Sequence, residues 1–287
     1  VLMYEAGFNA ERFKRRLVSD IYDVQTCYSN IVYMRPQIFS NHLDFYYKGI
    51  LHEYLEIGHI SSRDSAKGFF NQPVQDSARS RNPRKFQDDA AVLENVLRTE
   101  ADPFLISRYT FYLAQSYRDY GDKEQALQAY LRRSAQGYWD QEVYVSLLNA
   151  ARIKEQITYA EAEVIQAYLA AYENLPARLE ALHDAIRYCR LRGKHQQAYI
   201  LANHAVNQVR PKDGLFLEQW IYDYGLLDEF SIVAYWAGHY RESFNACLKL
   251  LKEGKVPVEY RERIRENAQY SIEKLKQPNL AKLLPPV

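Results

Sequence analysis

The feature that most constrains the fold of this chain is a motif that occurs three times between residues 121 and 243. Each copy has a glycine followed five positions later by alanine or serine, at Gly121–Ala126, Gly193–Ala198 and Gly238–Ser243. A small or aromatic residue stands four positions before each glycine and four positions after each alanine or serine. Glycine readily takes the left-handed conformation that ends a helix, and small residues let two helices approach. The motif therefore predicts pairs of helices joined by a turn at each glycine.

These helix pairs return at nearly constant intervals. In the first helix of successive pairs, the small or apolar positions Ala114, Ala150 and Ile186 are 36 residues apart, and Ser231 follows after 45. A two-helix unit of about 34 residues is typical of tetratricopeptide repeats, which stack into an α-solenoid. We therefore expect a mainly α protein with four such repeats, an insertion at 211–225 and a terminal helix near 259–276. Helices packed without a true repeat are the alternative.

The chain before residue 60 follows a different pattern. Apolar and polar residues alternate over 22–28 and again after a short turn, and this period of two predicts strands. A third strand, broken at Gly49, is predicted within 45–55. Glycine and proline punctuate the stretch that follows, which predicts a loop or linker. The predicted domains are a β-rich segment over 1–60, a linker over 61–85 and a helical repeat domain over 86–280.

Composition limits the classes of function. The chain has 37 Lys and Arg against 36 Asp and Glu, so it lacks the basic excess typical of proteins that bind nucleic acid. No apolar run approaches the roughly 20 residues that span a bilayer. Three widely spaced cysteines favour free thiols and a cytoplasmic protein over a disulfide framework. The 25 tyrosines are typical of helix packing with a polar edge, or of a groove that stacks on sugars or peptides.

Three groups of residues are candidates for binding or chemistry. His52-Glu53 begins like a zinc-protease helix, but Glu56 stands where that motif needs a second histidine. A basic cluster before the helix predicted after Pro83 would favour an anionic ligand, with a solvated basic loop as the alternative; its members are Arg79, Arg81 and Lys85. The concave face of a solenoid can bind a peptide or a polymer, although exposed polar residues also serve solubility. The predicted groove residues are Arg108, Gln115, Arg118, Arg187, Arg190 and Tyr235.

Several blocks, in order, resemble a known family. Residues 46–55, Tyr-Tyr-Lys-Gly-Ile-Leu-His-Glu-Tyr-Leu, are similar to a segment near the end of the catalytic domain in bacterial glycosyltransferase family 2 proteins that carry C-terminal tetratricopeptide repeats. Further blocks fit in the same order, from about Tyr22 to Asn267. They are 33–39 before that segment, 78–86 after it, and 111–119, 137–143, 226–230 and 234–240 in the repeats.

The resemblance implies that the chain is the C-terminal part of a nucleotide-sugar-dependent glycosyltransferase, with the end of an α/β catalytic domain before the repeats. It implies that the half with the metal-binding Asp-x-Asp precedes residue 1, so that the chain alone would be inactive. His52 would be a ligand of a divalent metal, Mn or Mg, in the full domain, and Glu53 would be a catalytic residue beside the acceptor. The ligands would be a nucleotide sugar and a glycan or protein acceptor.

A function of another class stays open beside this one. The repeats make up most of the chain, and solenoids commonly offer extended concave surfaces for binding. The alternative is therefore a non-catalytic tetratricopeptide scaffold that holds a protein partner in its groove.

Overall fold

The computed structural model describes residues 1–28, 31–74, 81–212, 214–253 and 255–285. The chain forms two compact units, an N-terminal unit over Val1–Asp122 and a C-terminal unit over Lys123–Val287. Within the described ranges, no helix is both long enough and apolar enough to cross a membrane.

Short strands fill the first part of the N-terminal unit. In chain order they are β1 (Leu2–Tyr4), β2 (Ile21–Tyr28), β3 (Ile31–Phe39), β4 (Phe45–Lys48), β5 (Tyr54–Ile57), β6 (Arg63–Ser65) and β7 (Phe69–Asn71). One sheet has the order β1-β7-β2-β3, with β6 also beside β2, and β4 pairs with β5 in a separate antiparallel hairpin. The predicted strand broken at Gly49 is this hairpin, and Gly49 lies at a φ of 111° between its two arms.

The sequence pattern predicts a loop or linker over 61–85, but these residues contain the strands β6 and β7. Both strands run parallel to β2. Ala66 and Phe69, from this stretch, are buried in one cluster with Tyr22 and Val24 of β2. Strands of three residues are too short to show a period of two, so the sequence pattern gives no sign of them.

A proline near the end of a predicted strand suggests that the strand stops there, but β3 continues past Pro36 to Phe39. Pro36 pairs with Asp23, and the register of the β2–β3 ladder shifts between Tyr22 and Asp23. β3 lies at the edge of its sheet. Edge strands and bulges are the places in a sheet that tolerate proline, because it has no N–H to donate.

Three helices complete the N-terminal unit in its described residues: α1 (Ala10–Lys14), α2 (Lys85–Leu97) and α3 (Pro103–Tyr120). The backbone N–H of Phe104 donates to the Asp102 side chain at 2.9 Å, and Pro103 follows at the first helical position. This is a favourable start for a helix. α2 packs along α3.

The C-terminal unit is a run of helices. They are α4 (Lys123–Ser134), α5 (Asp140–Gln156), α6 (Glu161–Asn174), α7 (Glu180–Leu191), α8 (His195–Ala205), α9 (Leu226–Trp236), α10 (Tyr240–Glu253) and α11 (Val258–Leu275). Each helix packs on the next, and α7 also meets α9 while α9 meets α11. The chain is therefore mainly helical, an α-solenoid preceded by a small β-rich segment, and the fold class predicted from the repeats is confirmed.

The turns follow the sequence motif. Gly193 and Gly238, at φ angles of 70° and 90°, end α7 and α9, and the next helix begins two residues later in each case. The second repeat has no glycine at its turn, and residues 157–160 join α5 to α6. In the predicted insertion, a π-helical turn over Ile221–Gly225 leads directly into α9.

The far end of the solenoid is covered by the chain itself. Phe244 and Leu250 of α10 are buried in one cluster with Ile264 and Ile272 of α11. A short 3-10 helix, Pro278–Leu283, follows α11, and Leu284 joins the same cluster.

Candidate functional site

The two predicted groove arginines of α7 are both engaged with carboxylates of neighbouring helices. Arg187 donates from Nη2 to Glu155 Oε2 of α5 at 2.6 Å. Arg190 donates from Nε and Nη2 to the two carboxylate oxygens of Glu229 of α9, at 2.7 and 2.8 Å. Paired, half-buried guanidinium groups of this kind tie helices together, and they offer little free positive charge to a ligand.

Two further ion pairs extend this pattern. Arg152 of α5 donates from Nε to Asp184 Oδ2 of α7 at 2.6 Å, and Arg263 of α11 donates from Nη2 to Asp228 Oδ2 of α9 at 2.7 Å. Burial by itself would raise the pKa of Asp184, but the hydrogen bond from His183 and the charge of Arg152 hold it below its ordinary value. Arginine–carboxylate pairs thus join α5 to α7, α7 to α9, and α9 to α11.

Sequence reasoning missed these pairs, although a signal exists. The paired residues lie one repeat apart, at separations of 32 residues for Glu155 and Arg187, 39 for Arg190 and Glu229, and 35 for Asp228 and Arg263. Opposite charges spaced by the repeat length face each other when repeats stack. A search for charge complementarity at that spacing would have found them.

Tyr235, also predicted in the groove, belongs to a continuous group of aromatic side chains. Its ring lies 5.5 Å from that of Trp236, edge to face, and 6.4 Å from that of Tyr270. Trp236 also stacks on His195, at 5.4 Å and an angle of 18°. Trp236 is 60% exposed and Tyr270 51%. We call His195, Tyr235, Trp236 and Tyr270 the aromatic band.

Only Tyr235 of the aromatic band was singled out from the sequence. Trp236 stands two positions before the turn glycine of the last helix pair, where a tryptophan is easily interpreted as core packing. Its exposure depends on how α8, α9 and α11 are arranged, so the helical period alone does not reveal it.

A cleft of 510 Å³ lies elsewhere in the C-terminal unit, between α4, α5 and α6. Its walls are largely apolar, with Lys154 and Glu163 as the charged residues among those that line it. The apolar part is Leu131, Leu147, Ala150, Ala162, Ala167 and Ala170. None of the predicted groove residues lines this cleft.

In the N-terminal unit, the structure brings two predicted residues together. The ring of His52 stacks on that of Tyr112 of α3, with centroids 3.8 Å apart and planes 3° apart. Arg108 donates to the backbone oxygen of His52 at 2.6 Å, and its guanidinium lies about equally far from the rings of Tyr54 and Tyr112. Glu53 is exposed beside them.

The remaining predicted residues are not gathered at this place. Arg118 pairs with its neighbour Asp119 at 2.7 Å, and Lys85 lies over the ring of Phe86 at 4.7 Å. Arg81 is exposed and Gln115 half-buried. Arg79 lies outside the described residues. Among the side chains that the structure describes, no three of His, Cys, Asp or Glu are grouped so that they could hold a metal ion.

The chain is similar to several solved structures. A tetratricopeptide repeat protein from Parabacteroides merdae matches over 69% of this chain and 70% of its own, at 16% identity and a TM-score of 0.48. BtubC from P. vanneervenii matches over 72% and 88%, at 11% identity and a TM-score of 0.50. The tetratricopeptide repeat protein TTC0263 from Thermus thermophilus matches over 64% and 91%, at 14% identity and a TM-score of 0.40.

No protein-family model matches the sequence, and no curated protein matches it. At identities of 11–16% the structural likeness concerns the fold alone.

Proposed function

We propose that this chain is a protein-binding scaffold and that the aromatic band is the surface that contacts the partner. The observation that carries the proposal is Trp236, a large side chain that is mostly exposed and yet held in place by His195 and Tyr235. Tryptophan and tyrosine, with arginine, are enriched among the few residues that dominate the binding energy of protein interfaces. A side chain already fixed by its neighbours loses little conformational entropy on binding.

The ion pairs of the two groove arginines also favour the aromatic band as the binding surface. Arg187 and Arg190 already satisfy Glu155 and Glu229, so an acidic partner would have to compete with carboxylates that are fixed next to them. The exposed rings of Trp236 and Tyr270 carry no positive charge that would need a carboxylate partner. The partner is therefore expected to present apolar or aromatic side chains, with few acidic ones.

The compartment proposed for this function is the cytoplasm. The structure has three free cysteines, Cys27, Cys189 and Cys247. Free thiols persist in reducing compartments.

The test is a selection of peptides from a random displayed library on the full chain, followed by calorimetry with the selected peptides. Replacing Trp236 with alanine should weaken their binding by about tenfold or more, as expected for a tryptophan at the centre of an interface. Trp139→Ala is the matched control, because Trp139 is also exposed, in the same unit but outside the aromatic band. If both variants bind alike, or if no peptide is selected, the proposal is wrong.

The glycosyltransferase of the sequence resemblance is the second candidate function. The observation that favours it is the hydrogen bond from Arg108 to the backbone oxygen of His52, since it places a guanidinium that could contact a diphosphate next to the residue expected to hold the metal. In that case His52 would be a metal ligand, Glu53 would face the acceptor, and the basic cluster Arg79, Arg81 and Lys85 would contact the nucleotide sugar. Calorimetry of the chain with uridine diphosphate and manganese tests it. Saturable heat that His52→Ala removes would favour the transferase.

A further inference from the structure

Residues 214–220, which precede the π-helical turn, contact side chains of α5 and of α7 with the residues just before it. We call these residues the cis segment. None of them is buried, and Phe216 and Trp220 are exposed. By contrast, Arg178 and Glu180, which the cis segment contacts, are 1% and 0% exposed. The cis segment therefore packs on buried polar side chains and is not part of the apolar core.

The main chain of Leu215 is recognised at both of its polar groups. Its N–H donates to Gln141 Oε1 of α5 at 3.1 Å, and its carbonyl oxygen accepts from Arg178 Nη1 at 2.8 Å. Arg178 Nη1 also donates to the same Gln141 oxygen at 2.7 Å, so the two side chains hold each other in place. Gln141 and Arg178 together present one acceptor and one donor to a passing backbone.

Gly214 shows how closely the backbone approaches this pair. A Cβ atom at position 214 would lie 2.9 Å from Arg178 Nη1 and 3.1 Å from Gln141 Oε1. Real Cβ atoms essentially never lie within 3.0 Å of another atom, so a side chain at position 214 would force Arg178 Nη1 to move, and Arg178 is held by its other partners. The site thus requires glycine just before the residue whose backbone it binds.

Arg178 is fixed because it forms a buried ion pair with Glu180, with Nη2 to Oε1 at 2.7 Å. Tyr144 and Tyr222 donate to Oε2 of the same carboxylate, at 3.2 and 2.8 Å. Burial by itself would raise the pKa of Glu180, but the hydrogen bonds and charge of Arg178 hold it below its ordinary value. The Glu180 carboxylate and the Arg178 guanidinium thus satisfy each other within the site and do not need the cis segment to balance their charge.

Two side chains of the cis segment complete the recognition. Glu218 accepts from Arg152 Nη2 of α5 at 2.6 Å, and its backbone N–H points to Glu180 Oε1 at 3.4 Å. The ring of Trp220 meets His183 of α7 edge to face, with centroids 4.9 Å apart. The site thus contacts the backbone of Leu215, the carboxylate of Glu218 and the ring of Trp220.

The cis segment also contains a strained residue. Phe216 has a φ of 52°, in the left-handed region that bulky residues rarely occupy. Backbone strain of this kind persists only where the surrounding contacts enforce it, and it lowers the cost of releasing the segment from the site.

We propose that Gln141, Arg152, Arg178 and His183 form a peptide-binding site that the cis segment occupies, and that a partner peptide with a Gly–apolar turn followed by glutamate and tryptophan at the same spacing displaces it. The site shares no residue with the aromatic band, and it does not depend on the function proposed for that band. It binds a different chemistry, because its ligand must be acidic where the partner of the aromatic band need not be.

The experiment uses the full chain and a fluorescently labelled synthetic peptide of residues 214–220. In the full chain, the substitutions Gly214→Val and Glu218→Lys are combined to release the cis segment. The valine clashes sterically with Arg178, and the lysine is repelled by Arg152. The peptide should bind this double variant at least about tenfold more tightly than the unsubstituted chain. Val209→Lys, at a position that is 87% exposed, is the control and should leave binding as in the unsubstituted chain.

Specificity is tested on both partners. A peptide with lysine in place of Glu218 should lose binding, and so should the double variant with the added substitution Arg152→Gln. Trp236→Ala should change nothing, which separates this site from the aromatic band. Equal binding by the double variant and the unsubstituted chain, or no binding by either, overturns the proposal.

A second measurement covers the case in which the double variant does not fold. Hydrogen exchange of the Leu215 amide is followed in the unsubstituted chain with and without excess unlabelled peptide. Faster exchange with peptide supports displacement of the cis segment, because the N–H then loses Gln141. Unchanged exchange at saturating peptide overturns the proposal.

Discussion

At the scale of single residues, the three cysteines show how burial sets the chemistry of one side-chain type. Cys189 of α7 and Cys247 of α10 are fully buried, and burial raises the pKa of these thiols to about 11 and about 12. Cys27 of β2 is half-buried, and its Sγ accepts a hydrogen bond from Nε2 of the Gln25 side chain at 3.3 Å. Thiolates, not thiols, react with alkylating reagents, so the three sites should differ in rate.

We expect iodoacetamide at about pH 8 to modify Cys27 at least about tenfold faster than Cys189 or Cys247 in the native chain. Peptide mass spectrometry over a time course measures the three rates separately. In concentrated guanidinium chloride the three rates should become similar, because the burial is lost. Fast modification of Cys247 in the native chain would contradict its burial in the cluster formed by α10 and α11.

At the scale of helices, the small residues of the turn motif decide how closely two helices pack. Ala198 and Ala202 of α8 are completely buried where α8 packs on α7. Gly193 ends α7 in the left-handed conformation two residues before α8 begins. The short turn holds the helices together, and the alanines leave no spare volume between them.

Replacing Ala198 with leucine should lower the free energy of unfolding by about 1–3 kcal/mol, because three added carbons have no space in a packed interface. Urea unfolding followed by circular dichroism measures the change. Gln197→Leu is the matched control, since Gln197 is exposed on the same helix and leucine is a good helix former. Equal stability of the two variants would show that position 198 is not a helix contact.

At the scale of the whole molecule, the solenoid needs a cover for its last apolar face. α11 provides it through Ile264, Ala268 and Ile272, which are buried against α10. In repeat proteins each unit is stabilised mainly by its neighbours. Losing the cover should therefore weaken the helices next to it, while the separate N-terminal unit keeps its own packing.

Ile264→Asp places a charge in this buried cluster and should lower the stability of the C-terminal unit by about 3 kcal/mol or more. Hydrogen exchange should show faster exchange in α9 and α10, with little change in α2. Val258→Asp is the control on the same helix, because Val258 is 78% exposed. Uniform loss of protection along the whole chain would contradict the division into two units.

The sequence by itself determined the local parts of this protein. The turn at Gly193 and the start of α2 after Pro83 follow from interactions within a few residues, and periodic apolar positions reveal them. The interruption at Gly49 is local in the same sense, although the pattern predicts one broken strand and the structure has two strands paired in a hairpin. Such features depend on backbone conformation and helical period, which are properties of short stretches of chain.

Only the tertiary structure decided which side chains are available to a ligand. Arg187 looks like a free groove cation in the sequence, yet Glu155, 32 residues away, already holds it. β7 is invisible as a pattern and forms by pairing with distant strands. The cis segment and Arg178 meet across 37 residues. Pairings of this kind depend on distances that packing sets between remote parts of the chain, and a local pattern carries no information about them.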